Sequence, residues 1–77
     1  MYAVIFVFNP EEFDVVTIEE QLKGIRAKDI TFKYVLKELK DGKYMLKVYA
    51  KDIDQAHKRG LWLRDKLFNG KIGYKVR

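Results

Sequence analysis

Tyr34-Val-Leu-Lys-Glu-Leu-Lys-Asp41-Gly42-Lys-Tyr-Met-Leu-Lys-Val-Tyr49 sets a turn dipeptide between two strand-like runs. The pairing of those runs decides how the rest of the chain is arranged. Asp-Gly favours a two-residue hairpin turn with positive φ at both central positions. Pairing outward from Lys40 and Lys43 then sets Leu39 opposite Tyr44, Val35 opposite Val48 and Tyr34 opposite Tyr49. One face of the predicted hairpin carries Val35, Leu39, Tyr44, Leu46, Val48 and Ala50 and reads as core. The other carries Phe32, Tyr34, Leu36, Met45 and Tyr49, interleaved with Lys47 and Lys51. A face both apolar and cationic points to a contact surface.

The elements on either side follow from their patterning. Tyr2-Ala-Val-Ile-Phe-Val-Phe8 is apolar at every position, as a central strand is. Asn9-Pro10-Glu11-Glu12 has the residue order of a helix start. The β-branched pair Val15-Val16 breaks that start, and Thr17-Ile-Glu-Glu20 offers a capping box. The first main helix is therefore predicted from Ile18 to about Ala27, with Ile18, Leu22 and Ile25 inward. The hairpin strands are expected over Ile30 to Leu39 and Lys43 to Lys51. Asp52, with Gln55 three residues on, opens a helix from Ile53 to about Phe68. Its apolar stripe is Ile53, Ala56, Gly60, Leu63 and Leu67, and Asn69-Gly70 supplies a left-handed stop. Lys71 to Arg77 completes the chain as a last strand.

The order β-α-β-β-α-β with right-handed crossovers predicts an α+β, ferredoxin-like sandwich over residues 1–77 as a single domain. The expected antiparallel sheet has spatial order 4-1-3-2 with both helices on one face. If Ala3, Ile5 and Val7 face the helices, Tyr2, Val4, Phe6 and Phe8 point to the open side; both faces of the strand are apolar, so the sequence leaves its phase open.

Size and charge narrow the functional classes. A chain of 77 residues buries roughly 60–65% of its unfolded surface, so packing, ion pairs or self-association must supplement the core. It has no cysteine, which removes disulfides and thiolate metal sites. Abundant Lys, Glu and Tyr with few amides give a thermophile-like composition. The net charge of +5 and a pI near 9.5 favour nucleic acid or an acidic protein as partner. The run Tyr2 to Phe8 is too short to cross a bilayer and lacks the flanks of a signal peptide. A cytoplasmic protein without membrane contact is expected.

On this reading Phe32, Tyr34, Lys47, Tyr49, Lys51, Lys71, Lys75 and Arg77 form a nucleic-acid or partner-binding face. Tyrosines would stack on bases and cations would track phosphates. A homo-oligomeric protein-interaction or regulatory module, using the same face or the Trp62 helix face for protein contacts, is the alternative. A secondary patch comprises Lys58, Arg59, Trp62 and Lys66, on the helix side opposite the Ile53–Leu67 stripe. His57 falls at the edge of that stripe.

In architecture the layout resembles the RNA-recognition-motif family, where aromatics on the first and third strands stack bases. The third strand here, Lys43-Tyr-Met-Leu-Lys-Val-Tyr-Ala50, lacks the glycine or alanine positions and the aromatic spacing of that family's signature. Tyr49, with Tyr2 or Phe6, stands where its stacking residues would be, and the chain is not assigned to it.

Nothing in the sequence points to catalysis. There is neither serine nor cysteine, and the only threonines are Thr17 and Thr31. Acylphosphatase shares the topology, but the loop Asn9-Pro10-Glu11-Glu12 would repel the anion which that enzyme's cationic loop holds. Glu11, Glu12 and Asp14 read as first-turn carboxylates rather than metal ligands. A non-enzymatic binding module without cofactor or metal is the expectation.

Overall fold

The computed structural model describes all residues, Met1–Arg77. Six elements follow in the order β1 (Tyr2–Phe8), α1 (Val15–Lys28), β2 (Tyr34–Glu38), β3 (Tyr44–Ala50), α2 (Ile53–Phe68) and β4 (Lys75–Val76). The four strands form one antiparallel sheet in the order β2-β3-β1-β4, which read from its other edge is 4-1-3-2. This is an α+β arrangement of two helices and a four-stranded sheet.

One core sits between the sheet and the helices. Val4, Phe6 and Phe8 of β1 and Leu46, Val48 and Ala50 of β3 meet Ile18 and Leu22 of α1. Ala56, Leu63, Leu67 and Phe68 of α2 close it. Both helices thus cover the same sheet face. Phe68 is the aromatic centre, with ring centroids 5.0 Å from Phe6, 5.2 Å from Phe8 and 5.1 Å from Phe13.

The β2–β3 hairpin departs from the sequence expectation by one residue. Gly42 N–H donates to Leu39 O at 3.1 Å, and Leu39 N–H donates to Lys43 O at 2.7 Å. The loop is therefore Lys40-Asp41-Gly42, a three-residue turn closed by Leu39 and Lys43. Only Gly42 has positive φ, at 87°, whereas a two-residue turn would need Asp41 positive as well. The Asp41 carboxylate instead accepts from Lys43 N–H at 3.0 Å.

The slip reverses the faces of β2. Tyr34 now pairs with Val48 and Leu36 with Leu46, while Val35 pairs with Lys47 and Lys37 with Met45. Tyr34 and Leu36 pack against the core, and Val35 moves to the open face. The reason is the cost of burying a charge. In the two-residue register Lys37 would face the core between Val35 and Leu39, without a partner. Phe32, expected on the open face, is also buried, in the segment preceding β2. Of the two phases the sequence leaves open for β1, the structure takes the one with Val4, Phe6 and Phe8 inward.

Smaller differences have local causes. α1 starts at Val15 because Asp14, rather than Thr17, takes the capping position, and Thr17 Oγ1 donates to Asp14 Oδ2 at 2.6 Å. Asn9 to Phe13 makes a turn, with Glu11 N–H on Asn9 Oδ1 at 2.9 Å. β2 begins only at Tyr34, since Asp29, Ile30 and Thr31 turn on the Asp29 carboxylate. β4 is two residues long rather than seven. In α2 the expected bounds and stop hold, with Asp52 accepting from Gln55 N–H and Asn69 at φ 52°. Ala56, Gly60, Leu63 and Leu67 are buried as expected, but Ile53 in the first turn is 50% exposed.

Candidate functional site

Helices shield most even-numbered strand positions, whereas the odd-numbered ones face the other side of the sheet, Ala3 alone among them being buried. Continuous pairing arranges those open residues in rows across the sheet. Val35, Lys47, Ile5 and Lys75 form one row through all four strands. Tyr49, Ala3 and Arg77 form the next, joined by Lys33, whose carbonyl accepts from Tyr49 N–H at 3.0 Å. Lys37, Met45 and Val7 form the third. The face carries five cations, Lys33, Lys37, Lys47, Lys75 and Arg77, and no carboxylate.

None of the five has a carboxylate within 4.0 Å, since the ion pairs of the molecule are Lys23–Glu19 and Arg59–Asp29. Neighbouring strands lie about 4.8 Å apart, so Lys47 and Lys75, two strands apart, project from points about 10 Å from each other. That separation slightly exceeds the screening length of about 8 Å at physiological salt, so the charges act together mainly at low ionic strength.

Between the cations runs an apolar strip of Ile5, Val7, Met45 and Val35, with Ala3 buried beneath its neighbours. Val7 and Val35 are exposed, while Ile5 and Met45 are half-buried. Tyr49 is the one aromatic ring on the face. Lys47 Nζ lies 5.2 Å from its centroid, and a shallow hollow beside it is lined by Met1, Thr31, Lys33 and Lys51.

The structure therefore keeps part of the expected surface and removes part. Lys47, Tyr49, Lys75 and Arg77 share the open face, and Lys51 borders it at the end of β3. Phe32 and Tyr34 are withdrawn into the core layer, so the expected cluster of stacking rings reduces to Tyr49. Lys71 lies in the turn after α2, where its N–H bonds Phe68 O, off the sheet ladder. Lys33 and Lys37 were absent from the predicted set. Their signal was the parity of β2: a lysine at Lys37 belongs outside, and Lys33 shares its phase.

The secondary patch also divides. Trp62 is 49% exposed, with Lys66 Nζ 5.5 Å from its ring centroid, and Lys58 is exposed. Arg59 turns inward. Its Nη1 donates to Tyr49 O at 2.6 Å, its guanidinium covers the Phe32 ring at 5.5 Å, and Nη2 lies 3.9 Å from Asp29 Oδ2. It ties α2 to the end of β3 and to the α1–β2 turn. His57 is exposed, and its Nδ1 lies 3.1 Å from the Tyr74 hydroxyl.

Both threonine hydroxyls serve local structure. Thr31 Oγ1 donates to Asp29 Oδ1 at 2.6 Å, as Thr17 does to Asp14. These bonds are the main reason both carboxyls sit below the usual aspartate range. No three His, Asp or Glu side chains converge as a metal site would require. No helix is long and apolar enough to cross a membrane. Comparison with protein-family models, with curated proteins and with solved structures found no match.

Proposed function

We propose that this chain is a non-enzymatic module that binds single-stranded nucleic acid on its open sheet face, in a ferredoxin-like βαββαβ framework. The observation that carries the reading is the set of five unpaired cations arranged in cross-strand rows, with no carboxylate among them. A polyanion laid across the rows relieves their mutual repulsion and releases its own counterions. Tyr49 offers a ring for one base, an interaction that contributes about 1–3 kcal/mol. Ile5, Val7 and Met45 supply an apolar floor beside it. The local bonding of Thr17 and Thr31, in a chain without serine or cysteine, supports a binding rather than a catalytic role.

Protein contact is the second reading, favoured by the exposed Val7 and Val35. Face-to-face pairing of two copies would set two groups of five cations against each other, which opposes self-association through this surface. An acidic partner would not meet that obstacle.

The test is a fluorescence-anisotropy titration with a labelled single-stranded oligonucleotide at low salt. Tyr49→Ala is expected to weaken binding by the 1–3 kcal/mol of one stack, roughly 5- to 150-fold, with an unchanged mass in solution. Lys47→Glu with Lys75→Glu should weaken it at least about tenfold. Absence of binding to the unaltered protein, or a dimer that Tyr49→Ala dissociates, contradicts the proposal.

A further inference from the structure

A groove of about 520 Å³ runs between α1 and α2, on the side of the molecule away from the open sheet face. Its volume falls within the range of small-ligand and peptide-anchor sites, roughly 300–1,000 Å³. Ile25 and Trp62 give it an apolar lining, and Lys28, Arg59 and Lys66 give it charge. Gly24 leaves an opening on the α1 side, where an added Cβ would meet nothing within 4 Å.

Two features distinguish this groove from an ordinary solvated helix junction. The only tryptophan of the chain stands half-exposed in it. Its charges are also unbalanced. Arg59 is engaged by Asp29, the one carboxylate of the lining, which itself accepts from Thr31. Lys28 and Lys66 have no carboxylate within 4.0 Å. The groove thus sets an apolar strip between two uncompensated cations, a pattern complementary to apolar anchors flanked by carboxylates. One face of the Trp62 ring already carries the Lys66 ammonium, which suits an aliphatic anchor better than a stacked base.

We propose that the α1–α2 groove docks an acidic amphipathic segment of a partner protein. An apolar anchor lies against Trp62 and Ile25 across Gly24, and carboxylates reach Lys28 and Lys66. The groove opens on the helix side, and it touches the sheet face only through Arg59, whose Nη1 donates to Tyr49 O.

The test uses the full chain and two synthetic amphipathic helical peptides. Both carry Leu at i, i+3, i+4 and i+7; the remaining positions are Glu in one and Lys in the other. The Glu peptide is expected to shift Trp62 emission to the blue in a saturable way, and the Lys peptide to leave it unchanged. Lys28→Glu with Lys66→Glu should weaken the Glu peptide at least about tenfold. Gly24→Leu fills the opening from a helix position with free space, and should abolish the shift while keeping or raising Tm. No response to the Glu peptide, an equal response to both peptides, or a shift that survives Gly24→Leu overturns the proposal. So does a Trp62 response to oligonucleotide alone. Loss of oligonucleotide binding in the sheet-face variants, with the peptide response intact, separates failure of one site from failure of the other.

Discussion

Gly60 lies against the ring of Tyr74 so closely that a Cβ built on it would stand 2.7 Å from Tyr74 Cε2. The glycine in the buried stripe of α2 therefore makes room for the residue that precedes β4. The Tyr74 ring continues inward to Phe6, at a centroid distance of 5.9 Å, and its hydroxyl meets His57. Through this contact the short β4 is held in register beside β1, which keeps Lys75 and Arg77 on the open face.

Gly60→Ala should destabilise the fold by about 1–3 kcal/mol through overpacking, although alanine is the better helix former by about 1 kcal/mol. In a Tyr74→Ala background the same substitution should become neutral or stabilising. Chemical denaturation of the four proteins of this cycle measures the coupling.

Arg59→Met keeps much of the aliphatic cover over Phe32 but removes the donor to Tyr49 O and the cation near Asp29. A loss of about 1.5–3 kcal/mol is expected, the range for a hydrogen bond from a charged group.

Acid should weaken the protein through Asp14 and Asp29. Both titrate below their usual value near 3.8, chiefly because threonine hydroxyls bond the carboxylates. The folded state then binds fewer protons than the unfolded state in that window. The stabilisation is present above about pH 4 and disappears as pH falls through the lowered folded values. Asp29→Asn with Asp14→Asn should flatten the decline of Tm as pH falls below about 4.

Gly42→Ala should cost about 1–2 kcal/mol, because its φ of 87° is left-handed. Asp41→Gly should give no comparable gain, since Asp41 has no positive φ to relieve. Equal sensitivity at both positions would contradict the three-residue turn and with it the faces assigned to β2.

Much of the architecture is readable from the chain. The Asp52–Gln55 cap, the Ala56–Gly60–Leu63–Leu67 stripe and the Asn69-Gly70 stop define α2 nearly to the residue, because each rests on a local constraint. The site was harder to read, since it depends on strand phase. Tyr2 to Phe8 is apolar throughout and carries no alternation to fix its faces. Tyr34-Val-Leu36 has the same ambiguity, and Asp41-Gly42 fits a turn of either two or three residues. Lys37 held the deciding information: its charge excludes it from the core, and that alone sends Tyr34 and Leu36 inward. Burial of Phe32 was less legible, because its cover, the Arg59 guanidinium, comes from 27 residues along the chain.

The salt dependence of oligonucleotide affinity tests the role of the open face most directly. Five phosphate contacts to a single strand predict a slope of log K against log salt of about −3 to −4. Lys47→Glu with Lys75→Glu should reduce the magnitude of that slope by at least about 1.4, the share of two contacts. A slope near zero, or one left unchanged by those substitutions, would contradict the assignment of these rows to nucleic-acid binding.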